Sequence, residues 1–190
     1  MSKEKKRCFW VNPASELYVE YHDKEWGRPV HDEHVLFEFL ILEGAQAGLS
    51  WETVLKKREN YRRHFSGFDP RKVAKFTDAQ LKKILKDPGV IRHPGKIDSA
   101  RSNAVAFLAV QKEFGSFDKY VWGFVGGKPL RRKARGRGTF VSKTEVSDAL
   151  SKDLKKRGFK FVGSTIMYAY MQAVGMTNDH SVDCFCSKAI

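Results

Sequence analysis

Apolar residues recur at helical spacing along most of the chain, and strict alternation is almost absent. Behind Asp32, a candidate N-cap, Leu36, Phe39 and Leu40 share one face of a helix predicted over His31–Glu43. Ala45-Gln46-Ala47-Gly48 reads as a break, and the serine at 50 starts a second helix over Ser50–Phe65. Thr77 and Gln80 have the spacing of a capping box ahead of Leu81, Ile84 and Leu85, and Pro88-Gly89 ends that helix. Pro94-Gly95 precedes a helix carrying Ile97, Ala100, Ala104, Phe107 and Leu108, and Ser116 caps Phe117–Val125. Val146–Arg157 and Ser164–Val174 follow, while Tyr18, Tyr21, His22 and Trp26 fit one further helical stripe. No alternating segments flank an Asn-Gly or Asp-Gly turn, so little strand is expected. The pattern predicts an all-α domain of about eight helices without internal repeats.

Composition sharpens this picture. With 190 residues, 42% apolar and 30% charged, the chain is neither collagenous, disordered nor a disulfide-stapled miniprotein. Lys and Arg number 35 against 22 Asp and Glu, a net charge of +13 that points to a polyanion, nucleic acid ahead of an acidic membrane. No apolar run approaches the roughly 20 residues of a membrane span; Val35–Leu42 is interrupted by Glu38. Met1–Arg7 is charged and leads into no signal-peptide core, so a cytoplasmic location is expected. Three cysteines, Cys8, Cys184 and Cys186, suit free thiols or metal ligands better than a disulfide framework.

The charge is uneven. Lys128–Lys160 holds 12 basic and 3 acidic residues, a local 12 − 3 = +9. Within it, the glycine-rich loop Gly126–Gly138 has six basic residues and no acidic one, which suits either a solvated linker or a phosphate-contacting arm. Gly158-Phe-Lys-Phe-Val-Gly163 joins two predicted helices, and Lys155, Lys156, Arg157 and Lys160 lie beside it. The arrangement resembles a helix-hairpin-helix, a DNA backbone clamp in which a tight turn presents backbone N–H groups at a helix N-terminus. It departs from the common form, because Phe161 stands where the first of two close glycines belongs.

Two constellations carry chemistry. His180 and Cys184, four residues apart, together with Cys8 and His22, have the residue types of a tetrahedral Cys2His2 zinc site that would tie the two ends of the chain. Buried cysteines and ordinary histidines are the competing reading, and Cys186 would crowd Cys184. Extending the stripe Leu36, Phe39, Leu40 by one turn reaches Glu43, a carboxyl on a face that should be buried. Trp10, Tyr18, Tyr21, Trp26 and Trp51 flank it in sequence. Rings around a buried acid suit a flat, cationic ligand; an aromatic core cluster with a solvated helix-end Glu is the plainer alternative.

The segments Cys8–Gly27, Leu42–Arg62, the IRHPGKI run from Ile91, and Leu154–His180 closely resemble the bacterial DNA-3-methyladenine glycosylase I family. The likeness covers nearly the whole chain and weakens over Gly126–Lys143. It implies a single all-α helix-hairpin-helix glycosylase domain over residues 1–190, in two helical lobes, which excises 3-methyladenine from alkylated double-stranded DNA as a monomer. It implies a structural Zn2+ on Cys8, His22, His180 and Cys184, joining the N- and C-terminal segments. The base pocket falls on Trp10, Tyr18, Tyr21, Trp26, Glu43 and Trp51, with Glu43 and Tyr21 the catalytic pair. The loop that fills the gap left by the flipped nucleotide falls on Gly48 and Leu49, and the hairpin contact on Lys160, Phe161, Val162, Gly163 and Ser164. Ala45 stands where some relatives carry Gln, which predicts a lost polar contact. Ile166 stands near the lysine of strand-cleaving relatives, which predicts no nicking. Asp183 lies near an activating Asp of other helix-hairpin-helix glycosylases, a role this family generally does without. Two readings compete: a non-catalytic zinc-stabilised nucleic-acid-binding module, and a glycosylase with altered base choice.

Overall fold

A computed structural model describes residues 5–132 and 137–188, so 133–136 of the basic loop lie outside the described residues. The architecture is helical: α1 (Glu16–Lys24), α2 (Glu33–Gln46), α3 (Trp51–Leu55), α4 (Arg58–His64), α5 (Pro70–Val73), α6 (Asp78–Lys86), α7 (Pro94–Phe114), α8 (Phe117–Gly123), α9 (Glu145–Lys156) and α10 (Ser164–Ala173). Among the described residues no helix is long and apolar enough to cross a membrane.

The caps form as their side chains dictate. Asp32 accepts the Val35 N–H, Ser50 the Thr53 N–H, and Thr77 with Gln80 closes a reciprocal capping box. The main departure is α2. Its sequence predicts an apolar stripe, but Leu36 through Ala45 are all buried, because α7, α8 and α10 pack around it. Glu38 survives there because Arg58 Nε donates to it at 2.5 Å and Arg62 Nε at 2.9 Å.

Other differences have local causes. α2 continues through Gln46, so the break falls at Ala47–Ser50. The predicted Ser50–Phe65 helix divides into α3 and α4 at Lys56–Lys57. The one-turn α5 starts from an Asp69 cap and Pro70, a start signal that apolar periodicity does not register. Trp26 lies beyond the end of α1, and its segment is pinned instead by Gly27 N–H donating to Gln172 O at 3.0 Å and Val30 N–H to Val174 O at 3.1 Å. A short parallel ladder, β1 (Leu130–Arg131) with β2 (Thr177–Asn178), anchors the start of the basic loop beside the end of α10. Hairpin signals cannot reveal such a long-range parallel pair.

Gly175 makes the approach of α10 to the Trp26 segment feasible. Its φ is +73°, and a Cβ there would lie 2.2 Å from the Arg28 carbonyl carbon and 2.4 Å from Pro29 N. Gly175→Ala therefore combines a left-handed backbone with a backbone clash and is expected to destabilise the protein by about 3 kcal/mol or more. Denaturant unfolding checks this; a loss below about 1 kcal/mol would mean that the two segments separate freely.

Candidate active site

A cavity of about 420 Å3 opens between α1, α2, α3 and α10. Trp10, Tyr18, Tyr21, Trp26, Glu43 and Trp51, the residues named from sequence, all line it. Trp10 is packed 4.8 Å from Trp26 and 5.3 Å from Tyr18, centroid to centroid, and Tyr21 lies 5.4 Å from Trp51. These contacts preorganise the walls before any ligand enters.

Glu43 projects from α2 into this cavity with 3% of its surface exposed. It contrasts with Glu38, one and a half turns earlier, which two arginines neutralise. Glu43 Oε2 has no hydrogen-bond partner, and neither does the indole Nε1 of Trp51 on the same lining. Burial alone pushes the Glu43 carboxyl up to about 8, which favours its protonated form at neutral pH. Burial likewise holds the Tyr21 phenol well above its usual range, with Glu43 adding to the shift, so Tyr21 is a neutral donor or acceptor. An orphaned acceptor and an orphaned donor in one aromatic slot call for a planar ligand with polar groups on its edge.

Four residues from the two ends of the chain converge behind the Trp10–Trp26 wall. Cys8, His22, His180 and Cys184 are all buried, with ligand atoms within 4.8 Å of one another. His180 Nδ1 is 3.5 Å from both Cys8 Sγ and Cys184 Sγ, and His22 Nε2 is 3.5 Å from Cys184 Sγ. Donors about 2.0–2.3 Å from a central tetrahedral zinc are separated by roughly 3.5 Å, so the cluster fits that ion. Cys184 is held toward its thiolate by hydrogen bonding to Cys8 first and then to the two imidazoles. Outer contacts aim the rings: His22 Nδ1 is 2.8 Å from Asp23 Oδ1, and His180 Nε2 is 3.1 Å from Trp26 O. Cys186 is buried but lies outside this four-donor set. Asp183 is on the surface, paired with Lys6 at 2.6 Å.

A second cleft continues from the first, sharing Gln46, Phe140, Ala169 and Gln172 and running past Gly48, Leu49 and Ile166. Leu49 is 42% exposed on its rim. The turn between α9 and α10 lies nearby in the fold, with Gly163 as the N-cap of α10. Phe161 has a φ of +57°, the left-handed conformation that a glycine would adopt without strain. Gly44 gives it room: a Cβ on Gly44 would lie 3.3 Å from Phe161 Cβ. Lys160 is exposed, Val162 is buried, and Ser164 Oγ is 3.0 Å from Ser147 Oγ, so the hydroxyl of Ser164 is tied to α9. Arg157 corrects the sequence reading of the basic cluster. Its guanidinium is held by Asp153 at 2.6 Å and Glu113 at 2.7 Å, leaving Lys155, Lys156 and Lys160 as the exposed cations of the turn.

Sequence reasoning missed Gln46, Phe140, Phe9 and Gln172. Gln46 was legible, being one turn after Glu43 on α2, and it brings an amide to the cavity from the position after Ala45. Gln172 is aimed by Asp179, which accepts its Nε2–H at 2.8 Å and also the hydroxyls of Tyr168 and Thr177. Phe140 packs edge-on against Phe9 at 6.3 Å, a contact between distant segments that no local pattern announces.

A profile of the methyladenine glycosylase family matches residues 10–187. A DNA-3-methyladenine glycosylase of Haemophilus influenzae is 49% identical over 183 residues, which cover 96% of this chain and 98% of that protein. The DNA-3-methyladenine glycosylase 1 of Escherichia coli is 51% identical, covering 95% and 96%. A crystal structure of 3-methyladenine DNA glycosylase I superposes with a TM-score of 0.92 at 51% identity, covering 95% of this chain and 99% of that one. A tyrosine-to-phenylalanine variant of 3-methyladenine DNA glycosylase I, solved in complex with 3-methyladenine, gives 0.91 at 35% identity, covering 96% and 97%. With a ring-lined cavity around one unpaired acid and a family profile spanning nearly its whole length, this chain belongs to the methyladenine glycosylase family.

Proposed function

We propose that this protein hydrolyses the N-glycosidic bond of 3-methyladenine in alkylated double-stranded DNA. It releases the free base and leaves an abasic site without cutting the strand, the first step of base-excision repair. The observation that carries this reading is Glu43, a buried carboxyl without a cation inside an aromatic slot of base size.

The substrate explains the site. A base methylated at N3 is positively charged while attached to the sugar and departs neutral, so it needs little acid catalysis. The protein's task is to draw the base out of the stack, which costs a few kcal/mol, and to hold it. Trp10 and Trp51 offer faces to the ring, and Tyr21 and Glu43 meet its polar edge. A cation in the cavity supplies the charge that Glu43 lacks, so its arrival favours the carboxylate and releases a proton at neutral pH. Normal adenine is neutral and gains nothing from this term. Water then adds its oxygen to the sugar C1′, the glycosidic electron pair leaves on the base nitrogen, and the spare proton passes to solvent.

Gly48 and Leu49 fill the gap in the duplex, and the turn Lys160–Ser164 contacts the phosphate backbone. Ile166, on the second cleft, stands about where strand-cleaving relatives carry a lysine, which supports a monofunctional reaction. Cys8, His22, His180 and Cys184 would hold one Zn2+, which would supply a structural tie between the chain ends rather than chemistry at the base. The chain acts as a single-domain monomer in the cytoplasm. A binding module without chemistry leaves the unpaired Glu43 unexplained.

Duplex DNA treated with a methylating agent should yield free 3-methyladenine, with strands that break only after alkali; breakage without alkali would overturn the monofunctional assignment. Glu43→Gln should weaken binding of free 3-methyladenine about tenfold or more while leaving duplex affinity within about twofold. The same variant tests the titration. Folding raises the carboxyl from 4.5 to about 8, so wild-type stability is full below the lower value and declines as pH rises through the upper one. The Gln variant should lack that decline and gain melting temperature relative to wild type at pH above 8, but not below 4.5.

His180→Ala should release zinc, read by native mass spectrometry, and lower Tm by roughly 10 °C. Unchanged metal content would remove His180 from the ligand set. Replacing Lys155, Lys156 and Lys160 with Gln should reduce the salt slope of DNA binding by about two or more, while Arg157, held by Asp153 and Glu113, is left in place. An unchanged slope would move the phosphate contact elsewhere.

A further inference from the structure

The loop carrying Gly48 and Leu49 begins where α2 ends, with Ala47 at φ −42°, ψ 111° and Gly48 at φ +81°. The last carbonyls of a helix have no partner within it, so the path of the chain beyond them depends on what meets those oxygens. Here one ammonium does. Lys96, in the first turn of α7, places Nζ 2.9 Å from Ala45 O and 2.6 Å from Ala47 O. Its own backbone is fixed, because the Lys96 N–H donates to His93 Nδ1 at 3.2 Å. No carboxylate is paired with Lys96 among the described residues, so its charge serves the end of α2 and the dipole there.

The same helix also holds the turn between α9 and α10. Asn103 donates from Nδ2 to Lys160 O at 3.0 Å and accepts the Lys160 N–H at 2.8 Å. The His93 ring meets Phe161 edge-on at 5.9 Å. α7 thus grips both elements assigned to DNA, the loop through Lys96 and the turn through Asn103, and sets the distance between them.

We propose that Lys96 is a positioning residue for base extrusion: it fixes the Gly48–Leu49 loop relative to the phosphate-binding turn, so that Leu49 enters the duplex where the base leaves it. This rests on the glycosylase reading above. Lys96 is not among the residues lining either cleft. Its effect is on where an exposed leucine stands, and a displacement of about 1 Å costs up to a hundredfold in rate.

The test uses Lys96→Met, Lys96→Arg, Leu49→Ala and the double variant Lys96→Met/Leu49→Ala. Lys96→Met should slow single-turnover release from methylated duplex by about ten- to a hundredfold, with affinity for free 3-methyladenine within about twofold of wild type. Lys96→Arg keeps the cation and its N–H donors and should recover most of the rate. The double variant should be no more than about twofold slower than the slower single variant, because both changes act through one side chain. Multiplying losses, an equal fall in free-base affinity, or an unchanged duplex rate would overturn the proposal. Hydrogen–deuterium exchange gives a readout independent of chemistry: residues 45–50 should exchange faster in Lys96→Met, and residues 158–164 should not. Equal exchange of residues 45–50 in Lys96→Met and wild type would overturn it even if no base were released, whereas absence of base release by wild type would count against the glycosylase reading alone.

Discussion

A carboxyl group removed from water without a counter-charge costs several kcal/mol, and the architecture around α2 depends on tolerating that cost at Glu43. The comparison is internal. Glu38 on the same helix is equally buried, yet Arg58 and Arg62 satisfy it. Glu43 faces rings instead, and the protein keeps it out of solvent by taking a proton. The cost falls on the one buried carboxyl that lines the cavity. Trp10 and Trp26 cannot collapse onto the acid to relieve it, because His22 and His180 back them at 5.3 and 4.7 Å.

Much of this was legible in the sequence because it was local. Caps at Asp32, Ser50, Thr77 and Ser116 are short-range hydrogen bonds, and each formed as its spacing required. Glu43 was visible as an acid on an apolar stripe, and the four metal-ligand candidates by residue type. What stayed hidden came from long-range packing. α2 is buried from Leu36 to Ala45 because α3, α7, α8 and α10 all pack against it, and a stripe on one face cannot reveal the others. Trp26 reaches the cavity off the end of a helix, held by Gln172 O, so its apparent place in a helical stripe was coincidental. Arg157 stands beside the turn in sequence, yet Glu113, forty-four positions away, claims its guanidinium.

The turn between α9 and α10 shows how a departure from a pattern can be absorbed. Phe161 sits in backbone space that glycine enters freely, at a cost of about 1–2 kcal/mol for a residue with a side chain. Its ring meets His93, and the missing side chain of Gly44 leaves room for its Cβ. The strain is thus offset by contacts with α2 and α7, the two helices that also shape the loop at Gly48. A substitution at Gly44 would disturb the turn through sterics alone, with both glycines of the turn intact.

The four-donor cluster has a bearing on synthesis as well as on stability. Cys8 and His180 stand 172 positions apart, so a ribosome must translate most of the message before any ion can be fully enclosed. Until then Cys8 and His22 are the only two of the four donors present, and the indole of Trp26 lacks His180 behind it. The cavity wall at Trp10 and Trp26 is therefore completed only when the last tenth of the chain, carrying His180 and Cys184, has docked against the first.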